Sequence, residues 1–121
     1  MHRSPFTAAV LVAACLALAL PASGFAHAGI KSQSPKPGST VARDLKSVRI
    51  TFKRRIRSGN LILRDAEGTK VSRGTGRLGS KHRAIRARPD SGLKAGRYKA
   101  MAYWLNADGH VQIESWFFRL R

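Results

Sequence analysis

The stretch Val48-Arg49-Ile50-Thr51-Phe52 decides the fold class, because apolar and polar residues alternate along it. Alternation with a period of two is typical of a strand with one buried and one solvent-facing side. Other short apolar runs follow, separated by turn-forming residues, and no segment keeps the 3.6-residue apolar period of a helix. We therefore expect a single all-β domain, folded as a small sandwich or barrel.

On the C-terminal side of this strand, residues 61–63 predict a second strand that ends at the turn-forming sequence 65–68. Residues 69–71 then predict its hairpin partner. The glycine-rich segment 74–80 predicts a loop, because glycine is depleted in strands.

The last forty or so residues predict three further strands, at 82–88, 96–105 and 111–120, separated by turns at 89–92 and 106–109. The aromatic residues Tyr98, Tyr103, Trp104 and Trp116 alternate with small and apolar residues along them. We expect all four aromatic side chains to belong to the core.

The first 26 residues have the order of a secretory signal. Residues 8–20 form an unbroken apolar run, with Arg3 before it and Pro21 and small residues after it. The run is shorter than the roughly 18 residues that a membrane span needs. We predict a signal peptide at 1–26 and an exported domain at 27–121.

The cleavage point has three alternatives. A cut after Ala26 leaves His27 as the first residue, and a cut after Ala28 fits the pattern at least as well and discards His27. A lipobox-like sequence before Cys15 would instead give a lipoprotein. In the first two cases the only cysteine is lost, which excludes disulfides and thiolate metal sites.

Positive charge dominates the composition, with 23 Lys and Arg against 6 Asp and Glu and a formal net charge of +17. This balance indicates anionic partners such as lipid or acidic polymers, and export argues against nucleic acid. The densest stretches are Lys53-Arg54-Arg55-Ile56-Arg57 and Lys81-His82-Arg83, with Arg86 and Arg88 following. As outward faces of strands they would form a basic stripe, and the alternative is an ordinary solvated surface.

Three residues suggest a metal site. A histidine at a free N-terminus, His27, offers its amine and its ring as a chelate, and Asp108 and His110 could add an oxygen and a third nitrogen. Three nitrogens and an oxygen suit Cu(II). Taken singly, each residue has a plainer interpretation: His27 as part of the signal, Asp108 as a turn residue and His110 as a surface imidazole.

Two other titratable residues have simpler roles. His82 lies between Lys81 and Arg83, which oppose a cation, so we expect a solvated strand residue. Glu114 could orient a ligand imidazole, although a surface carboxylate is the simpler interpretation. No cysteine, serine–histidine arrangement or carboxylate pair indicates catalysis, so we expect a protein that is not an enzyme.

Several segments, taken in their order along the chain, resemble the CopC family of periplasmic copper-binding proteins. They are Ser34-Pro35-Lys36-Pro37-Gly38-Ser39, Val48-Arg49-Ile50-Thr51-Phe52, the run 61–71, Leu93-Lys94-Ala95-Gly96-Arg97-Tyr98, Asp108-Gly109-His110 and Trp116-Phe117-Phe118. The resemblance covers residues 27–121 and implies a seven-stranded, Ig-like Greek-key β-sandwich that holds Cu(II) in copper resistance or homeostasis.

The same resemblance assigns the ligand roles to His27, Asp108 and His110, and it favours the cut after Ala26. We also expect a monomer, with an inner-membrane copper transporter as a partner. The methionine-rich segment of some members has no counterpart here, since Met101 stands alone in a predicted strand. The main alternative is a metal-free Ig-like module that binds an anionic envelope component, or a membrane partner, through its basic surface.

Overall fold

The computed structural model describes residues 29–121, and every regular element in that range is a β-strand. The strands are β1 (Ile30–Ser34), β2 (Thr40–Val41), β3 (Val48–Phe52), β4 (Ile56–Arg64), β5 (Ser72–Leu78), β6 (Ala84–Pro89), β7 (Gly96–Asn106) and β8 (Val111–Leu120).

The strands form two four-stranded sheets packed as a sandwich. One sheet has the order β1-β3-β6-β5 and the other has the order β2-β8-β7-β4. Apart from the β5–β6 and β7–β8 hairpins, most connections cross from one sheet to the other, as in Ig-like domains. The predicted Greek-key sandwich is confirmed, with eight strands rather than about seven, because the two-residue β2 pairs in parallel with the end of β8.

The core lies between the two sheets and follows the predicted alternation. In β3, Val48, Ile50 and Phe52 are buried while Arg49 is exposed. The other buried apolar residues are Ile56, Leu61, Leu63, Ile85, Ala87, Tyr98, Ala100, Ala102, Trp104, Trp116, Phe118 and Leu120. Tyr103 is an exception to the prediction, since it points outward from β7 and is exposed.

Two buried aromatic side chains tie loops to the sandwich. The Trp116 indole N–H donates a hydrogen bond of 2.9 Å to the carbonyl of Pro35. The Tyr98 hydroxyl donates one of 2.7 Å to the carbonyl of Lys94, four residues upstream. Burial is the main cause that raises the pKa of Tyr98. A tyrosine bonded to nearby upstream backbone is a feature of Ig-like sandwiches.

The loop predicted at 74–80 is wrong, because β5 extends through Leu78. A bulge between Arg73 and Arg77 accommodates Gly74 and Gly76, both with positive φ. A Cβ on Gly76 would lie 2.9 Å from the backbone nitrogen of Leu61 in the facing sheet. Glycine therefore occurs here because the two sheets approach closely, and not because the chain leaves the sheet.

Two further expectations change. Residues 69–71 return alongside β4 only briefly, through the bridge between Arg64 and Lys70, before the chain crosses to the other sheet. His82 lies in the turn before β6 rather than in a strand, is half-buried and has a φ of 56°. Its Nδ1 lies 3.3 Å from the carbonyl of Ile56, which explains its partial burial.

A membrane-crossing helix would have to be long and apolar, and residues 29–121 contain none of that kind.

Candidate metal centre

Asp108 and His110 lie in the tight turn that joins β7 to β8. The Gly109 amide donates to the carbonyl of Asn106 at 3.0 Å, and the Asn106 amide donates to the carbonyl of His110 at 2.9 Å. Gly109 has a φ of 92°, which a non-glycine residue adopts only with strain. This is a three-residue hairpin loop with glycine at its left-handed position.

The turn places the Asp108 and His110 side chains against each other. Asp108 Oδ1 accepts a hydrogen bond of 3.0 Å from the His110 amide, and Asp108 Oδ2 lies 3.1 Å from His110 Nδ1. These contacts, the backbone one first, lower the pKa of the Asp108 carboxyl group. The side chains remain 64% and 78% exposed, so both are accessible to an ion from solvent.

The start of the described chain reaches the same end of the sandwich. Ile30 pairs with Phe52, and the Lys53 amide donates to the carbonyl of Gly29 at 3.0 Å. Gly29 and Asp108 line one open cavity of about 470 Å³. The edge strand β1 thus holds Gly29 at the end of the sandwich where the β7–β8 hairpin lies.

His27, the third predicted ligand, lies outside the described residues. It precedes Gly29 by two positions, and two residues of extended chain span at most about 7 Å. The structure therefore brings Asp108 and His110 together and holds Gly29 beside the same cavity. The role of His27 stays a prediction.

A cluster of positive charge borders this cavity. Lys53, Arg54 and Arg55 line it together with Asp108. The sequence predicts these cations on an outward strand face, whereas the structure places them in the loop between β3 and β4. Lys81 and Arg83 likewise lie in the turn before β6. These positive charges lie beside the Asp108 carboxylate and repel a free cation at long range.

Within residues 29–121, no three His, Cys, Asp or Glu side chains cluster closely enough to hold a metal. Glu114 is on β8 opposite Ala102, about 13 Å along the strand from His110. It lies on the half-buried inner side of β8, so it is neither the predicted surface carboxylate nor close enough to orient His110.

The molecule is thus an Ig-like β-sandwich with an exposed aspartate–histidine pair on its β7–β8 hairpin. The CopC domain family matches residues 30–121. The chain belongs to the CopC family, and the resemblance inferred from the sequence is confirmed.

Solved structures share this fold at low sequence identity. CopC from Methylosinus trichosporium OB3b is 22% identical, with a TM-score of 0.64 over 76% of this chain and 91% of that chain. PcoC from Escherichia coli, a methionine-rich copper resistance protein, is 18% identical, with a TM-score of 0.61 over 77% of this chain and 97% of that chain. No curated protein matches the chain significantly.

Proposed function

We propose that this protein binds copper at the β7–β8 hairpin and acts in copper resistance or homeostasis, as a binding protein rather than an enzyme. Membership of the CopC family and the likeness to a copper resistance protein support a copper-related role. The observation that carries the proposal is the Asp108–His110 pair, held 3.1 Å apart on an accessible turn.

The ligand set we propose is the amine and ring of His27, a carboxylate oxygen of Asp108 and a ring nitrogen of His110. Three nitrogens and one oxygen favour Cu(II) over the other divalent first-row ions. A free α-amine has a reference pKa near 8, and a metal that binds this strongly displaces its proton. The position of Gly29 at the cavity supports this set, because it leaves His27 within reach of the hairpin.

Asp108 orients His110 before an ion binds. Its Oδ2 lies against Nδ1, which fixes the imidazole and leaves Nε2 as the nitrogen without this contact. A carboxylate in that position increases the basicity of a ligand imidazole. If Asp108 also ligates the ion, it exchanges the Nδ1 contact for the metal.

The proposed location is the periplasm, after removal of residues 1–26. In that compartment the protein would sequester copper or pass it to an inner-membrane transporter. The first residue of the exported chain then belongs to the function, because the amine of His27 must be free. A tag or any residue before His27 would block that amine.

The first experiment is Cu(II) electron paramagnetic resonance on protein exported and processed by its own host. We expect a tetragonal signal with coupling to about three nitrogens. The matched control is the same protein with one alanine preceding His27, and it should lose this signal. A spectrum indistinguishable from that of copper on a competing chelator would contradict the proposal.

A pair of histidine variants tests the hairpin itself. His110→Ala should abolish specific copper binding. His82→Ala should retain it, because His82 lies in a different turn, before β6, where its Nδ1 faces the carbonyl of Ile56. Isothermal titration against a competing chelator measures both affinities. Equal affinities in the two variants would remove His110 from the site.

A further inference from the structure

The outer side of the β1-β3-β6-β5 sheet carries exposed arginines on three neighbouring strands. We call Arg49, Arg73, Arg77, Arg86 and Arg88 the arginine face. Each alternates with a buried or half-buried neighbour on β3, β5 or β6, and all five are exposed.

Strand register places these arginines directly opposite one another. Arg86 on β6 pairs with Arg49 on β3 and with Arg77 on β5, which gives a row of three across neighbouring strands. Arg88 pairs with Arg73 in the next row. Like charges directly opposite on a sheet destabilise the free protein. An arrangement with that cost indicates a role outside folding.

Along the β5 bulge the arginine face meets no carboxylate, whereas Asp44 and Asp90 line a separate cavity with Arg73 and Arg88 at its end. The ion pair found in residues 29–121 is Asp108 with His110, on a different loop. A groove of about 580 Å³ runs along the face at the β5 bulge, and Lys46 adds a further cation there. The side chains that line this groove include no carboxylate.

We propose that the arginine face docks the protein on the surface of an anionic phospholipid membrane. Guanidinium groups bind phosphate oxygens in a bidentate way and remain charged at any physiological pH. Three neighbouring strands spread the arginines over about 10 Å, so the face meets more than one headgroup at once. The positive sign and the lack of carboxylates along the groove at the β5 bulge supply the charge complementarity.

The surroundings favour a membrane surface over single-stranded nucleic acid or a single phosphate. Single-stranded nucleic acid stacks on aromatic side chains, yet the exposed large apolar residues of the described chain lie on β7 and β8 in the other sheet: Tyr103, Val111, Ile113 and Phe117. A discrete phosphate site needs converging, buried donors, whereas these five arginines are exposed and spread. Without apolar groups to insert, docking is electrostatic and peripheral.

Docking on this face leaves the candidate metal centre open. The Asp108–His110 hairpin joins two strands of the opposite sheet, at the end where Phe52 and Ile56 lie. The groove with Lys46, Arg73 and Arg88 extends towards the other end. The membrane-binding role therefore does not depend on copper.

The test is co-sedimentation with vesicles, using full-length processed protein. One set of vesicles is phosphatidylcholine alone and the other is an equal mixture of phosphatidylcholine and phosphatidylglycerol. The face variant is Arg49→Gln/Arg77→Gln/Arg86→Gln. The matched control, Arg57→Gln/Lys94→Gln/Arg119→Gln, removes the same charge from exposed positions outside the face.

We expect wild-type protein to bind the anionic vesicles alone and to dissociate as salt increases. The face variant should bind about a hundredfold more weakly, at roughly fivefold per arginine, while the control loses much less. Equal losses in the two variants would overturn the face and leave only net charge. Binding to soluble polyphosphate but not to vesicles would assign the face to an acidic polymer and overturn the membrane proposal.

Discussion

At the residue scale, the Asp108 carboxylate shows how one turn sets the properties of a candidate ligand. It accepts the backbone N–H of His110 through one oxygen and contacts the ring through the other. Both contacts favour the charged form, so the pKa of Asp108 is lowered from 3.8. The carboxylate is therefore ready to accept a cation even in mildly acidic solution.

The two contacts contribute unequally to the lowered pKa of Asp108, so removing one of them should restore only part of it. His110→Ala should raise the pKa of Asp108 only part of the way back, because the alanine backbone still donates the dominant hydrogen bond. A carboxyl-carbon NMR titration measures the midpoint in both proteins. A complete return to the ordinary value would show that the ring contact dominates instead.

The sign of the linked stability effect follows from the same shift. A carboxyl group whose pKa is lower in the folded state stabilises that state above its unfolded pKa and loses the effect as pH falls through the folded value. The contribution of this contact should thus be complete at neutral pH, begin to fall near pH 4 and disappear as the pH passes below the folded pKa. Because Asp108 is exposed, the contribution is small.

The loop cations beside the cavity predict an unusual salt effect on copper capture. Lys53, Arg54 and Arg55 repel a free cation, so the association rate should rise as salt screens them. Replacing all three with glutamine should raise the rate at low salt and flatten this dependence. Stopped-flow quenching of tryptophan fluorescence provides the measurement.

The matched control for that rate is Arg73→Gln/Arg77→Gln/Arg88→Gln, which removes the same charge from the arginine face. A rate that rises equally in both variants would assign the effect to net charge rather than to the loop.

The candidate site was only partly predictable from single residues. Asp108-Gly109-His110 identifies a turn, and residues two apart in such a turn can share one side, which the structure bears out. Nothing local in the sequence shows that Lys53 and Arg55 border the same cavity. That proximity depends on strands far apart along the chain.

At the element scale, β5 shows why composition misleads. Its glycines suggested a loop, but Gly76 allows β5 to pack against Leu61 of the facing sheet. The long β7–β8 hairpin was predictable, because alternation and a single Asp-Gly turn depend only on local sequence. The crossing from β4 to β5 was not predictable, because it depends on long-range packing.

The close approach at Gly76 predicts a large cost for a small change. Gly76→Ala must adopt a positive φ and must also displace the Leu61 backbone, which together cost about 2–5 kcal/mol of unfolding free energy. Gly74→Ala is the control, since its φ is also positive but open space surrounds it. We expect it to cost about 1–2 kcal/mol. Urea denaturation compares them, and equal losses would contradict the packing argument.

At the scale of the whole molecule, charge opposes folding. Of the charges that give the chain its formal net charge of +17, only Arg3 lies outside residues 27–121. The small sandwich is therefore self-repulsive, and screening relieves that repulsion. The Tm should therefore rise as an inert salt is added at neutral pH. Scanning calorimetry at several salt concentrations provides the check, and a Tm that falls with salt would contradict it.

The arginine rows sharpen this expectation. The variant Arg49→Gln/Arg77→Gln/Arg86→Gln should have a flatter salt dependence of Tm than Arg57→Gln/Lys94→Gln/Arg119→Gln, because it removes charges that lie directly opposite one another. Identical slopes would show that register adds nothing to the effect of net charge.

The two tryptophans lie at different distances from the β7–β8 hairpin, so their fluorescence reports where an ion binds. The Trp104 indole donates a 3.1 Å hydrogen bond to Asn106, at the base of the hairpin. Gln112 on β8 faces Trp104, and Trp116 lies four residues beyond Gln112, about 13 Å further from the hairpin. A paramagnetic ion on the hairpin would dim the emission of Trp104 more than that of Trp116. Comparing Trp104→Phe with Trp116→Phe would therefore locate the ion by light alone.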